Sequence, residues 1–201
     1  DNTLPEASKI NKRVNKNKIE LSTIDTTPKL YIGGKQKRPD SGYSFNQLSS
    51  QKEFICDIAR ANRKDVRDTV EAASKSKIGT SSNFNRSQIL FYLAENLSQR
   101  KETFVHLLMS IVGVNRNQAI KEFEQSCERI FYYASMADKF EGNIHNPPMR
   151  GLTLAVKEPI GIMASIMSND QPLLSISTII SSLFANGNSS IIVPSEKTSL
   201  I

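Results

Sequence analysis

Cysteine is scarce in this chain: Cys56 and Cys127 are the only two among 201 residues. Two thiols cannot build the disulfide framework of a small secreted scaffold, so a reducing compartment is expected. No amino-terminal stretch has the shape of a signal peptide. The longest apolar segment is broken by serines and too short to span a membrane. No internal repeat is apparent, and no metal-binding cluster is expected. The net charge of +6 would allow an anionic partner. Much of the positive charge, however, crowds the amino end at Lys9, Lys12, Arg13, Lys16 and Lys18. With no aromatics between these residues and no nucleic-acid fold motif, residues 1–29 are expected to be a basic linker or disordered lead. Neither a membrane nor a nucleic acid is therefore an expected partner. The chain is long enough for one domain with a real core. It starts at Asp1 and stops at Ile201 just after a strand. The expectation is a fragment of a longer polypeptide, soluble and cytoplasmic.

What is present reads in order as a hairpin, a group of helices, a strand and a crossover unit. Leu30–Lys35 reads as a strand turning on Gly33 and Gly34, with Ser44–Leu48 as its partner and extended character through 53–58, a hairpin region of 30–60. Asn62 is placed to cap a helix with Val66, Val70 and Ala73 on one face. Asn85, with Gln88 three residues on, predicts a capping box for a second helix whose stripe is Ile89, Leu93 and Leu97. A third helix over 101–112 buries Phe104, Leu107, Leu108 and Ile111. The fourth carries Ile120, Phe123, Cys127, Ile130, Ala134 and Ala137 at spacings of three and four, so the helices fill 62–140. Asn146-Pro147-Pro148 makes an irregular connector, and a strand follows over 152–157.

The stretch over 161–196 carries the strongest signal. Gly161–Met167 is nearly uninterrupted in apolar residues, as a strand covered on both faces would be. Ser168-Asn169-Asp170-Gln171 breaks it, and Pro172 suits a first helical turn. Leu173, Ile176, Ile180, Leu183 and Phe184 recur at helical spacing with almost no charged face, so this helix is expected to be buried on most sides. Asn186-Gly187-Asn188 stops it, and Ser190–Val193 forms a second strand ending at Pro194-Ser195-Glu196. Strand, helix, strand is a βαβ crossover, the seed of an α/β doubly wound, Rossmann-like parallel sheet. Ligands bind such sheets beyond the carboxyl ends of the strands, here Met167, Ser168, Asn169 and Asp170 on one strand and Val193, Pro194, Ser195 and Glu196 on the other.

These residues resemble a known family. Lys157-Glu158-Pro159-Ile160-Gly161, the run 166–174, Asn186-Gly187-Asn188 and Pro194-Ser195-Glu196 are similar to the nicotinamide-binding half of the aldehyde dehydrogenase superfamily. Phe131-Tyr132-Tyr133-Ala134 and the turn 137–142 add to the likeness, which spans roughly 30–201. The resemblance implies an incomplete, truncated aldehyde dehydrogenase-like nucleotide-binding domain over 30–201 that takes NAD or NADP. It also implies that the segment 152–157 pairs outside the main sheet and contributes to oligomer contacts, with a further copy or a second aldehyde dehydrogenase module as partner. The family oxidises aldehydes through a cysteine thiohemiacetal and hydride transfer to the nicotinamide. Its nucleophile and base lie beyond the residue matching Ile201. Neither Cys127, on the apolar stripe of a helix, nor Cys56, with no adjacent basic group, is expected to replace that nucleophile.

Where the resemblance covers functional positions, the residues depart from it. The family's oxyanion asparagine aligns with Asp170 if Pro172 matches its second proline; a shift of one residue would place Asn169 there, but the proline spacing argues against that. An ionised aspartate only accepts hydrogen bonds. Losing an oxyanion donor costs on the order of 10²–10³ in rate, and a like charge costs more. The plainer role for Asp170 is to offer its oxygen to free backbone donors at the helix start. Glu196 fits the glutamate that accepts from ribose hydroxyls, although an exposed loop glutamate is an equally simple reading. Val193 stands at the ribose lysine and Asn169 at the loop tryptophan. The pattern is similar to the carboxyl-terminal module of aldehyde dehydrogenase family 16, which implies a fold that outlived its chemistry.

Overall fold

The structure, a computed structural model, describes residues 27–139 and 142–201. The basic residues from Lys9 to Lys18 of the expected linker, and Phe140 and Glu141 of the family-like turn, lie outside the described residues. Strand β1 (Leu30–Ile32) turns at Gly33 and Gly34, with φ of +61° and +77°, and pairs at once with β2 (Lys35–Lys37). Two left-handed residues match the twist of a tight hairpin, and glycine adopts that conformation without a Cβ penalty. The expected pairing of the first strand with Ser44–Leu48 is thereby corrected. Strand β3 (Ser44–Leu48) pairs antiparallel with β4 (Phe54–Ala59) instead. The true partner of β1 is wholly exposed Lys-Gln-Lys and carries no apolar signal.

Helix α1 (Arg63–Ser74) begins at Asn62, where a capping box forms. Asn62 Oδ1 accepts from Asp65 N at 3.1 Å, and Asp65 Oδ2 accepts from Asn62 N at 2.9 Å. Its expected apolar face is not the buried one: Val66 and Val70 are exposed, and Asp65 is buried. Backbone donors draw the Asp65 carboxylate inward, Asp40 N among them at 3.1 Å, and the helix is rotated accordingly. Helix α2 (Asn83–Ser98) is capped by Ser82, not Asn85. Ser82 Oγ accepts from Asn85 N at 3.2 Å, and Asn85 Nδ2 reaches back to Ser81 Oγ at 3.1 Å. Its inner face is Arg86, Ser87, Leu90 and Ala94, while Ile89 and Leu93 face outward. Small side chains there let α2 lie close on the next long helix, and that packing overrides the stripe of larger residues. Helix α3 (Lys101–Leu107) continues into a π-helical turn over Leu108–Val112 and buries Val105, Leu108 and Ile111. Helix α4 (Arg116–Met136) starts at a second capping box, Asn115 with Gln118, and buries Phe123, Cys127, Ile130 and Ala134, with Ala137 just beyond its end.

The segment before the crossover is an antiparallel ribbon, β5 (Asn143–His145) with β6 (Thr153–Ala155), and every residue in it is exposed. Strand β5 has no counterpart in the sequence reading, and β6 does not pair with the crossover strands. Strand β7 (Ile162–Ile166), helix α5 (Pro172–Ala185) and strand β8 (Ser189–Val193) form the expected unit, with β7 and β8 parallel in the register Ile162↔Ser189 to Ile166↔Val193. The architecture is α/β, the first two strands of a doubly wound sheet preceded by hairpins and amphipathic helices. No residue of α5 is exposed. Strand β7, expected to be covered on both faces, is not: Ile162 and Ile166 are exposed, the latter by 86%.

Helix α4 is the spine of the core. Its carboxyl half packs Ile130, Ala134 and Ala137 with Leu90 and Ala94 of α2 and Ala185 of α5. Its amino half packs Ala119, Phe123 and Cys127 with Val105, Leu108 and Leu173. Helix α5 thus lies along α4 with one end in each cluster, and both of its ends meet a charged side chain. At the amino end Glu122 Oε1 accepts from Leu173 N at 3.0 Å and from Leu174 N at 3.4 Å. At the carboxyl end Arg86 Nε donates to Ala185 O at 3.1 Å, and the same guanidinium bonds Ser81 O and Asn83 Oδ1. Negative charge at the amino end and positive charge at the carboxyl end complement the helix macrodipole. A Schellman motif completes the carboxyl end: Gly187 N bonds Phe184 O and Asn188 N bonds Leu183 O, both at 2.9 Å. Gly187 has φ +75°, and a Cβ there would meet Pro159 Cγ at 3.1 Å and the Arg86 guanidinium at 3.3 Å.

Burial pushes the Glu122 carboxyl above its ordinary range, against the opposing pull of the two backbone donors. A raised native value means that the native state holds the proton more tightly than the unfolded chain. The contribution of Glu122 to stability is therefore largest at low pH and is lost as pH rises through its native value. Glu122→Gln keeps the acceptor and removes the titration. Its melting temperature, followed by circular dichroism, is expected to match the parent in acid and exceed it at neutral pH. Glu122→Ala leaves buried donors unmet and is expected to lose about 1–3 kcal/mol in denaturant titrations.

Candidate functional site

The two strand tips lie side by side. Met167 N donates to Val193 O at 2.9 Å, which extends the parallel ladder one residue past β7. Beyond it, Ser195 Oγ is hydrogen-bonded to Asn169 Oδ1 across the gap. Of the expected site residues, Met167 is buried and Ser195 half-buried, whereas Ser168, Asn169, Asp170, Val193, Pro194 and Glu196 are exposed. The loop between Met167 and α5 closes on itself, with Asp170 N donating to Ser168 Oγ at 3.2 Å and Ser175 Oγ donating to Asp170 O at 3.2 Å. It enters the helix through Gln171 in a left-handed conformation, φ +43° and ψ +59°. Strain of this kind in a non-glycine residue gathers at loops that the surrounding structure holds in place.

The helix-start role expected of Asp170 is corrected: only its backbone makes these bonds, and the carboxylate that meets the free donors of α5 is Glu122. Sequence proximity pointed to Asp170. Glu122 lies 51 residues before Leu173 in sequence, and on its own helix it reads as one more glutamate beside an apolar stripe. A second residue missed by the sequence is Gln47, from β3. Its Nε2 donates to Lys197 O at 2.8 Å, its Oε1 accepts from Ser199 Oγ at 3.2 Å, and it is almost completely buried. The β3–β4 hairpin thereby fixes the loop that follows Glu196. The one available signal was a glutamine in a strand otherwise paired through its backbone.

The tips can accept hydrogen bonds at Asp170 and Glu196, and donate or accept at Ser168, Asn169 and Ser195. Val193, at the end of β8, offers an apolar side chain and no donor. An open groove of about 750 Å³ lies elsewhere, between the β1–β2 turn and α1, walled by the Lys37–Asp68 ion pair and by Glu71. Neither cysteine is near the tips in role or character. Cys127 is buried in the α4 interface and Cys56 half-buried in β4. Burial pushes both thiols up, with the neighbouring Asp57 adding to the effect at Cys56. A raised thiol value leaves less thiolate at neutral pH. Labelling with a thiol reagent is therefore expected to be slow at pH 7 for both and to accelerate only above the free-thiol range near about 8.5. Fast labelling at neutral pH would contradict this account.

Comparisons with known proteins agree with this geometry. The sequence pattern of the aldehyde dehydrogenase family matches residues 40–201. Cytosolic 10-formyltetrahydrofolate dehydrogenase of Pongo abelii is 27% identical over 192 residues, covering 90% of this chain and 21% of that protein. An aldehyde dehydrogenase of Vibrio cholerae serotype O1 is 27% identical over 176 residues, covering 84% of this chain and 34% of the other. Among solved structures, an NAD-dependent aldehyde dehydrogenase from Sinorhizobium meliloti superposes with a TM-score of 0.83 at 26% identity, over 88% of this chain and 36% of that one. Betaine aldehyde dehydrogenase of Staphylococcus aureus, solved in complex with NAD+, shares the fold with a TM-score of 0.83 at 21% identity, over 86% and 35%. The chain thus spans from about a fifth to about a third of the length of these relatives. It belongs to the aldehyde dehydrogenase family.

Proposed function

We propose that this chain is a fragment of an NAD(P)-dependent aldehyde dehydrogenase superfamily protein, an oxidoreductase acting on aldehyde groups, and that this module is itself non-catalytic with a degenerate cofactor cleft. The observation that carries the reading is the pair of adjacent strand tips; by the family resemblance Asp170 falls at the oxyanion position and Val193 at that of the ribose lysine. A carboxylate repels the charge that develops on an aldehyde oxygen. An exposed valine donates nothing to a ribose. Glu196 keeps the one acceptor suited to the ribose hydroxyls, so NAD or NADP binding is weakened rather than redirected. The domain runs over 30–201 behind a basic lead, and the substitutions suit the carboxyl-terminal module of aldehyde dehydrogenase family 16. A cytoplasmic location agrees with the two free thiols.

One observation favours a second role, assembly. The β5–β6 ribbon stands away from the core with Ile144 and Leu154 exposed by 73% and 57%. Such an arm suits contact with a second copy or a neighbouring aldehyde dehydrogenase module. The scaffold reading and the weakened-cleft reading separate in one experiment, nucleotide titration by calorimetry on the complete domain. Val193→Lys is expected to strengthen NAD binding, and Asp170→Asn to leave it nearly unchanged because that residue serves the aldehyde oxygen. No gain from Val193→Lys would leave assembly as the sole function. The chain alone is expected to show no NAD-dependent turnover of a simple aldehyde, and measurable turnover would overturn the non-catalytic reading.

A further inference from the structure

Helix α1 carries positive charge at the end where it is least welcome. A helix amino terminus favours anions and is weakened by cations, yet Arg63 and Lys64 occupy the first turn and Arg60 stands just before it. Asp40 neutralises Lys64, and Arg67 reaches Asp68 and Glu71 at 3.4 and 3.7 Å. Arg60 and Arg63 are exposed and form no ion pair among the described residues. Beside them Val66 and Val70 are 54% and 44% exposed, one turn apart on the face that Arg63 and Arg67 share. An open groove of about 780 Å³ at this end of the helix is lined by Asn62, Arg63, Lys64, Val66 and Arg67. Uncovered valines beside unpaired arginines suit an occupant of the opposite pattern, apolar side chains between carboxylates.

Such a segment stands directly upstream in the chain. Within residues 19–26, which lie outside the described residues, Ile19, Leu21 and Ile24 are interspersed with Glu20 and Asp25, and no cation interrupts them. The described chain enters at Thr27 and is bonded at once to the strand that leads into α1, where Ala59 N donates to Pro28 O at 3.2 Å, one residue before Arg60. Eight extended residues reach about 26 Å, and α1 is about 18 Å long. We propose that residues 19–26 dock on the outer face of α1, with Glu20 and Asp25 meeting Arg60 and Arg63 and the apolar side chains covering Val66 and Val70. A segment tethered this closely is present at an effective concentration on the order of millimolar, so contacts of modest strength suffice. The cations from Lys9 to Lys18 are repelled by the same arginines, and charge thereby selects which part of the lead approaches.

Native-state cleavage of the full chain by a glutamate-specific protease tests the proposal, since Glu20 lies inside the segment and Glu6 outside it. Cleavage at a site that must first open follows the population of the open state. With each rate divided by that of the same site in a free peptide of residues 1–26, Glu20 is expected to be cut about tenfold more slowly than Glu6. Arg60→Glu with Arg63→Glu is expected to bring the two rates together, and addition of Asp25→Lys to restore part of the difference. Should that pair fail to fold, Val66→Ser with Val70→Ser, both at exposed positions, is expected to narrow the gap, as is added salt in the parent. Equal rates at Glu6 and Glu20 in the parent, or a gap unmoved by the variants in folded protein, overturn the proposal. A gap that closes on dilution of the chain overturns it too, because the occupant of the face is then a second copy.

Discussion

The crossover helix α5 carries no charged side chain and no exposed residue, so its two ends cannot turn to water to satisfy the backbone groups that every helix leaves unpaired. The structure depends on how those ends are met. Glu122 from α4 takes the donors at one pole, and Arg86 from α2 takes a carbonyl at the other, 99 residues away in sequence. Among the described residues neither charge is matched by an opposite side chain. Each is a buried ion whose partner is the end of a helix. Such an arrangement is tolerable because the hydrogen bonds and the macrodipole offset part of the desolvation. Burial still leaves its mark, raising the carboxyl of Glu122 and lowering the guanidinium of Arg86. The helical layer must therefore be assembled for the crossover to be stable, and the sheet inherits its position from helices that precede it in the chain.

That dependence decides which features the sequence displays. The crossover unit was readable because its signals are local: an apolar strand, Pro172 at the helix start, and Asn186-Gly187-Asn188 at its end. The cap at Asn62 was readable for the same reason. What escaped was set by tertiary contacts. Ile89 and Leu93 look like the buried stripe of α2, yet the close approach to α4 selects Ser87, Leu90 and Ala94. Ser87 Oγ even donates to Ala134 O at 2.7 Å, which places a polar residue where periodicity asks for an apolar one. Val66 and Val70 yield the inner face of α1 to Asp65 because a carboxylate bonded to backbone donors at Asn62 and Asp40 anchors the helix. In the candidate site the adjacency of the tips around Asp170 and Glu196 followed from the βαβ pattern. Glu122 and Gln47 did not, since a glutamate on one helix and a glutamine on one strand carry no hint of the loops they hold.

The loops at the tips are thus held from behind by residues that the ligand side never touches. Gln47 fixes the chain after Glu196, Glu122 fixes the turn after Asp170, and the Asn169–Ser195 bond joins the two. Side chains on such a frame keep their geometry when their chemistry changes. Asp170 and Val193 are both exposed at the tips, so a change of side chain there leaves the frame undisturbed. This separation of frame from chemistry is the physical condition under which a domain can keep its architecture while its catalytic groups drift.

The sheet itself shows the opposite balance. Two parallel strands do not stand alone in water, and among the described residues β7 and β8 each leave one edge unpaired, with Ile162 and Ile166 uncovered. Helices α5 and α1 both pack against the pair, so what stability it has is lent by helices. Unpaired edges with apolar faces are sites of association. The helical core is closed on itself around α4, whereas the sheet is open in the plane of its hydrogen bonds.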